Sequence, residues 1–208
     1  MEDNIKRNAI KIAMLGDSKV GKTAICNAFM NMEFDDDFNI STIGMEKLET
    51  PMKLKNGEEI KLIIWDTAGQ ERFHSLALST IKTAQGTVIV FDLTCKQSFE
   101  HVVNWLNEVK EKLNTPSIVL FGNKNDLPEE KWEITRKEAE KFAKDRKLKY
   151  FETSAKLNKG IKEGFEYIAN EAYQNSEGSF GIQLSRKKQK KSKCCLGGDK
   201  KKTKNRNN

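Results

Sequence analysis

Ile10-Lys-Ile-Ala-Met-Leu15-Gly16-Asp-Ser-Lys-Val-Gly21-Lys22-Thr23 is the stretch whose reading decides the fold. Its first six residues alternate and then turn apolar, which suits a buried strand. The next eight follow the spacing G-x-x-x-x-G-K-S/T. Gly16 and Gly21 allow backbone angles that wrap successive N–H groups around an anion. A helix over 24–32, its first turn starting near Lys22, adds its positive N-terminal end. Strand, glycine loop and helix together predict a phosphate-binding loop built from Gly16, Ser18, Lys19, Val20, Gly21, Lys22, Thr23 and Ala24. Lys22 supplies a point charge to the β- and γ-phosphates of a nucleoside triphosphate, and the Thr23 hydroxyl ligates Mg²⁺. The loop alone names neither the base nor the reaction.

Working outward, strands are predicted over 45–54 and 59–65, joined around the turn dipeptide Asn56-Gly57. Thr87–Leu93 is a continuous apolar run, as in a strand covered on both faces. Phe99, Val102, Val103, Leu106 and Val109 recur at helical spacing and predict a helix over 97–112. Ser117–Phe121 and Lys149–Glu152 read as further strands. Thr135-Arg-Lys-Glu138 is a capping box opening a helix to about Arg146. Ile161, Phe165, Ile168, Ala169 and Ala172 mark a last amphipathic helix. The alternation predicts an α/β fold with a mostly parallel central sheet, one antiparallel edge strand from the hairpin, and helices on both faces. Residues 1–175 read as one domain, and 176–208 as a disordered polybasic tail.

The 208 residues carry a formal charge of +7, which by itself suggests nucleic acid or an anionic surface. The position of the charge decides between them. Residues 186–208 hold eleven Lys and Arg against the single acid Asp199, so they carry +10 and leave −3 on the first 185. A slightly acidic domain has no general footprint for nucleic acid, so none is expected as a partner. No run approaches the roughly 18 apolar residues of a membrane helix, and no secretory leader is visible, so a soluble cytoplasmic protein is expected. The four Cys form no disulfide framework or metal-ligand spacing. Cys26 and Cys95 are expected as small buried hydrophobes.

Three further motifs lie at predicted strand ends. In Asp66-Thr-Ala-Gly69-Gln70, Asp66 can hold Mg²⁺ through water, Gly69 can bring an N–H to a γ-phosphate, and Gln70 can orient an attacking water. In Asn123-Lys124-Asn125-Asp126, the Asp126 carboxylate can accept from both N1–H and N2–H₂ of guanine, a pattern adenine lacks. Ser154-Ala155-Lys156 can offer backbone N–H groups to guanine O6. Each is also a sequence that ordinary turns use. Their order along the chain, each at the carboxyl end of a strand where open α/β sheets bind ligands, makes them one site.

On these residues, together with Ser41-Thr42-Ile43-Gly44, Trp65-Asp-Thr-Ala-Gly-Gln-Glu-Arg-Phe73 and Glu152-Thr-Ser-Ala-Lys156, the chain resembles the Ras superfamily of small GTPases, and most the Rab branch, from about Lys11 to Tyr173. The resemblance implies a P-loop NTPase G domain that binds GTP and GDP with Mg²⁺. It implies a switch in vesicle traffic, with hydrolysis assisted by Gln70 and slow until a GAP contributes. It makes Thr42 a ligand of Mg²⁺ and of the γ-phosphate, sets Phe34 against the guanine, and gives two switch segments, 34–44 and 66–81. It assigns Asn123, Lys124, Asp126, Ser154, Ala155 and Lys156 to the guanine. It implies an exchange factor, a GAP and effectors meeting 34–47 and 66–81, and a GDP-dissociation inhibitor. It places the protein on the cytosolic face of endomembranes. Arg72 reads as a solvated switch charge.

The chain departs from that pattern in four places. Lys19 stands where a small residue is usual, and its ammonium is expected in water. Glu46-Lys47 replaces the usual Asp-Phe, and Thr80-Ile81 replaces a frequent tyrosine pair, so only Trp65 of the aromatic triad remains. Effectors of aromatic-triad Rabs are therefore not expected to bind. Cys194-Cys195 resembles a prenylation pair, but thirteen residues follow it. Prenylation despite the extension, palmitoylation or polybasic attraction to membrane, and an unmodified tail acting as a nuclear import signal all stay open. A nucleotide-loaded scaffold with little turnover is the rival to the switch.

Overall fold

The structure, a computed structural model, describes residues 9–32, 44–67, 82–112 and 117–176. These form β1 (Ala9–Leu15), α1 (Lys22–Phe29), β2 (Met45–Lys53), β3 (Glu59–Thr67), β4 (Gly86–Asp92), α2 (Lys96–Glu100), α3 (Val102–Lys112), β5 (Ser117–Asn123), α4 (Arg136–Asp145), β6 (Lys149–Glu152) and the helix 161–176, here α5. The sheet order is β2-β3-β1-β4-β5-β6. Only the β2–β3 hairpin is antiparallel, with Lys47 opposite Trp65 and Glu49 opposite Ile63. β1 lies parallel between β3 and β4, so the chain reverses its direction of travel across the sheet beside β1. The carboxyl end of β1 is therefore a topological switch point, where such sheets bind ligands.

The strand side chains divide between two cores, as their period of two requires. Ile12, Met14, Val88, Val90, Val119 and Phe121 pack with Ile25 of α1 and Phe165 and Ile168 of α5. Leu15, Ile89, Phe91 and Leu120 face the other way, onto Val102, Leu106 and Val109 of α3 and Ala139 and Ala143 of α4. Residues 86–92 are buried throughout, which explains the unbroken apolar run in β4.

Local chemistry sets the element ends. Gly57 has φ 88 and Gly57 N–H donates to Leu54 O, while Leu54 N–H donates to Glu58 O, so the hairpin closes on a left-handed glycine. Thr135 Oγ1 accepts from Glu138 N–H at 3.2 Å, capping α4 as its sequence predicts. α1 begins at Lys22 and stops at Phe29, short of the expected Met32, because Asn31 turns left-handed at φ 57. The helix expected over 97–112 is two pieces with a break of one residue at His101. Cys26 is fully buried, and its burial pushes the thiol pKa well up. Cys95, expected to be buried, is half-exposed at the start of α2. Among the described residues no helix is long and apolar enough to cross a membrane.

Candidate functional site

The phosphate loop leaves β1 through a bend that the sequence must supply. Gly16 has φ 137, and a Cβ there would lie 2.2 Å from the Val90 carbonyl oxygen. Gly21 has φ 95, and a Cβ there would lie 2.3 Å from Asn123 Nδ2. Two glycines are thus required by close approach as well as by conformation. Lys19 takes φ 66 without being glycine, and it is exposed, as its length suggests. Val20 is buried and pins the loop to the core. Ser18 is half-buried, and Ala24 lies on the first turn of α1.

Lys22 is 5 % exposed. Its ammonium donates to the carbonyls of Gly16 at 2.9 Å and Asp17 at 2.8 Å. Burial lowers its pKa to about 8, outweighing Asp66 and Asp17, which pull the other way. A charge kept there without a phosphate costs free energy, so the site suits an anion. Thr23 Oγ1 donates to Asp66 Oδ2 at 2.6 Å, and Asp66 is fully buried at the end of β3. A hydroxyl and a carboxylate are the hard oxygen donors that Mg²⁺ takes. Thr67 Oγ1 donates to Met14 O at 2.6 Å, which fixes the end of β3 against β1 and so sets Asp66 near Thr23.

A second pocket opens beside the loop, about 210 Å³ in volume, lined by Ala24, Asn123, Lys124, Asp126, Leu127, Ala155 and Lys156. Five of the six residues expected to meet guanine line it. Ser154 does not: it is fully buried, its N–H donates to Lys159 O, and its hydroxyl donates to Asp126 Oδ1 at 2.6 Å. It therefore reaches the pocket through Asp126. Asn123, 2 % exposed, donates from Nδ2 to Val20 O at 2.9 Å, while its Oδ1 accepts from Ala155 N–H and Thr153 Oγ1, both at 3.3 Å. One side chain thus joins the phosphate loop, the end of β5 and the loop after β6. Lys124 has φ 69, and its ammonium pairs with Asp92 Oδ2 at 2.5 Å.

Thr153 and Asp92 are supporting residues that the motifs do not mark. Thr153 carried a signal in Glu152-Thr-Ser-Ala-Lys156. Asp92 closes the apolar run of β4 with a single acid, as Asp66 does for β3. Phe34, Thr42, Gly69, Gln70, Arg72, Thr80, Ile81, Cys194 and Cys195 lie outside the described residues.

Residues 11–174 match the model of the Ras family. The chain is 35 % identical over 198 residues to Ras-related protein Rab-13 of Rattus norvegicus, covering 90 % of this chain and 96 % of the relative. It is 39 % identical over 167 residues to Ras-related protein Rab-10 of Diplobatis ommata, covering 80 % and 82 %. With Ras-related protein Rab-10 of Caenorhabditis elegans the identity is 39 % over 160 residues, covering 76 % and 78 %.

Proposed function

The chain belongs to the Ras family, in its Rab branch, and from that premise we propose which of its residues hold and hydrolyse GTP. The protein is a GTP-binding, GTP-hydrolysing switch of vesicle traffic. The observation that carries the assignment is the Asn123 side chain, which couples the phosphate loop at Val20 to the base pocket at Ala155. A ligand with a triphosphate at one end and a base at the other spans those two places.

In this reading the N–H groups of residues 16–24 and the Lys22 ammonium take the β- and γ-phosphates. Asp126, held by Ser154, accepts from the two guanine N–H groups, and Ala155 and Lys156 close the pocket over O6. Lys124 is held by Asp92 against the side of the pocket. Mg²⁺ at Thr23, Thr42 and, through water, Asp66 offsets phosphate charge when bound. Gln70 orients the attacking water in line with the γ-phosphate, and Gly69 gives it an N–H. Hydrolysis is slow without a GAP, since one positioned water supplies only part of the stabilisation that an arginine finger adds. Single-turnover GTP hydrolysis, with and without a cell extract containing GAP activity, tests this. Slow turnover accelerated by the extract supports it, and no hydrolysis under either condition refutes it.

The family implies exchange factor, GAP, effector and GDP-dissociation-inhibitor contacts in general. On the β2–β3 face, the Lys47 ammonium lies 5.9 Å from the centre of the Trp65 ring, and Glu49 pairs with both Lys47 and Lys61. A cation therefore stands over Trp65 where an aromatic triad needs a second ring. That supports a set of effectors different from those of aromatic-triad Rabs. The folded unit ends near residue 175. The +10 tail brings the protein to the cytosolic face of an endomembrane, each basic residue near an anionic leaflet contributing about 1 kcal/mol. A lipid on Cys194 or Cys195 adds the second signal that stable anchoring needs. The protein's mass from its own cells tests this, a bare polypeptide excluding the lipid.

A further inference from the structure

Asp17 has none of the roles assigned above, yet it is the phosphate-loop residue gripped from outside the loop. Its Oδ1 accepts from Trp105 Nε1 at 3.0 Å, and its Oδ2 lies 2.6 Å from His101 Nδ1. His101 and Trp105 are four residues apart, so their side chains leave one helix face. The helix behind them is fixed: Val102, Leu106 and Val109 are 2 % exposed or less and pack with Leu15, Ile89 and Phe91. Leu15 is the last residue of β1 before the loop. The same residue faces the nucleotide side through its main chain, where the Asp17 carbonyl accepts from Lys22 Nζ. Asp17 is thus held by α3 at one end and by the phosphate-binding lysine at the other.

The loop needs such a hold. Three of its residues have positive φ, and Lys19 is one of them without being glycine. A backbone kept in those regions persists where its surroundings over-determine it. We infer that His101 and Trp105 are positioning residues which, through Asp17, keep the phosphate loop in its binding shape and so set the rate of nucleotide release. Neither touches the nucleotide, and neither takes part in choosing the base. The inference rests on the phosphate-binding reading of Gly16–Thr23. Bonds to a carboxylate are stronger than neutral ones. The Asp17 side chain is a quarter exposed, at 26 %, so solvent screens part of the effect. Each tie lost then speeds release roughly three- to tenfold, well short of a hundredfold.

The test is release of fluorescently labelled GDP, with Mg²⁺, from the full-length protein and from Trp105→Phe, His101→Gln, Asp17→Ala and Trp105→Phe/Asp17→Ala. Each single variant should release faster by roughly three- to tenfold. The double variant should be no faster than Asp17→Ala, because both changes remove one bond. Competition by GDP against ADP should keep its wild-type ratio. In a nitrogen-15 spectrum the Trp105 indole N–H, recognised by its loss in Trp105→Phe, should move in Asp17→Ala, which a merely structural role would not require. Should Asp17→Ala fail to fold, Trp105→Phe and His101→Gln carry the test. Release within twofold of wild type in both of these, or strictly additive effects in the double variant, overturns the inference. A wild-type protein that fails to take up labelled GDP overturns the phosphate reading, and this one with it.

Discussion

Replacing Asn123 with Ala should weaken the whole site without changing which base it prefers. The side chain makes three contacts in a place 2 % exposed. Loss of Nδ2 strands the Val20 carbonyl, at 2.9 Å the best of the three. Loss of Oδ1 strands Ala155 N–H and the Thr153 hydroxyl, both longer at 3.3 Å. An unsatisfied buried group costs about 1–3 kcal/mol. Thr153 Oγ1 keeps a 3.5 Å contact to Gly122 O, and Ala155 is near the pocket rim, so those two terms sit low in that range. The total is about 2–4 kcal/mol, or roughly 5–15 °C in Tm for a domain of this size. Thermal unfolding at one fixed excess of GDP, beside the release rate of labelled GDP, measures it. Release should accelerate by at least tenfold, while the GDP-over-ADP preference stays, because Asp126 and not Asn123 faces the base. An unchanged Tm and release rate, or a variant that loses base preference while keeping its Tm, refutes the reasoning.

Three other outcomes follow from the same geometry. Lys22 in the free protein has its pKa lowered to about 8 by burial, and phosphates will raise it. Nucleotide binding at pH 8 should therefore take up about half a proton, and affinity should fall as pH rises above 8, measurable by calorimetry in buffers of different ionisation heat. The unfolded chain holds that proton up to its ordinary pKa, so the nucleotide-free protein should gain stability between pH 8 and 10.5, on the order of 3 kcal/mol; proton release on binding, or falling stability over that window, contradicts the assignment. Asp126→Asn should shift preference from guanine toward xanthine nucleotides, read by competition with xanthosine diphosphate. Gly16→Ala should cost at least about 2 kcal/mol, because the new Cβ meets the Val90 carbonyl at 2.2 Å inside a fully buried strand, and a Tm equal to wild type would argue against the loop's shape.

The sheet was readable because its strands are written as apolar runs that end in functional residues. Leu15 is followed by Gly16, Trp65 by Asp66, and Phe121-Gly122 by Asn123. Periodicity does not see a break where hydrogen bonds pass through it. His101 keeps helical angles, and its N–H still donates to Gln97 O, so the apolar spacing of 97–112 runs on across the gap between α2 and α3. The end of α1 was misplaced for a similar reason: Met32 suits a helix, and only the left-handed Asn31 stops it. Within the site, residues in motifs were legible and their supports were not. Ser154 was read for its backbone N–H, but that group is spent on Lys159 and the hydroxyl serves Asp126 instead. Asp92 and Thr153 act across about thirty residues of sequence on Lys124 and Asn123, a distance over which no spacing rule applies. Asp17, His101 and Trp105 meet only because α3 packs behind β1.

The central claim is that the loop at Gly16–Thr23 and the pocket at Asn123–Asp126 hold one guanine nucleotide between them. The most direct measurement is displacement of labelled GDP from the full-length protein, with Mg²⁺, by unlabelled GDP and by ADP. The account predicts displacement by stoichiometric GDP and none by ADP at a thousandfold excess, to the order set by a pair of buried hydrogen bonds to the base. Equal displacement by the two nucleotides would contradict it.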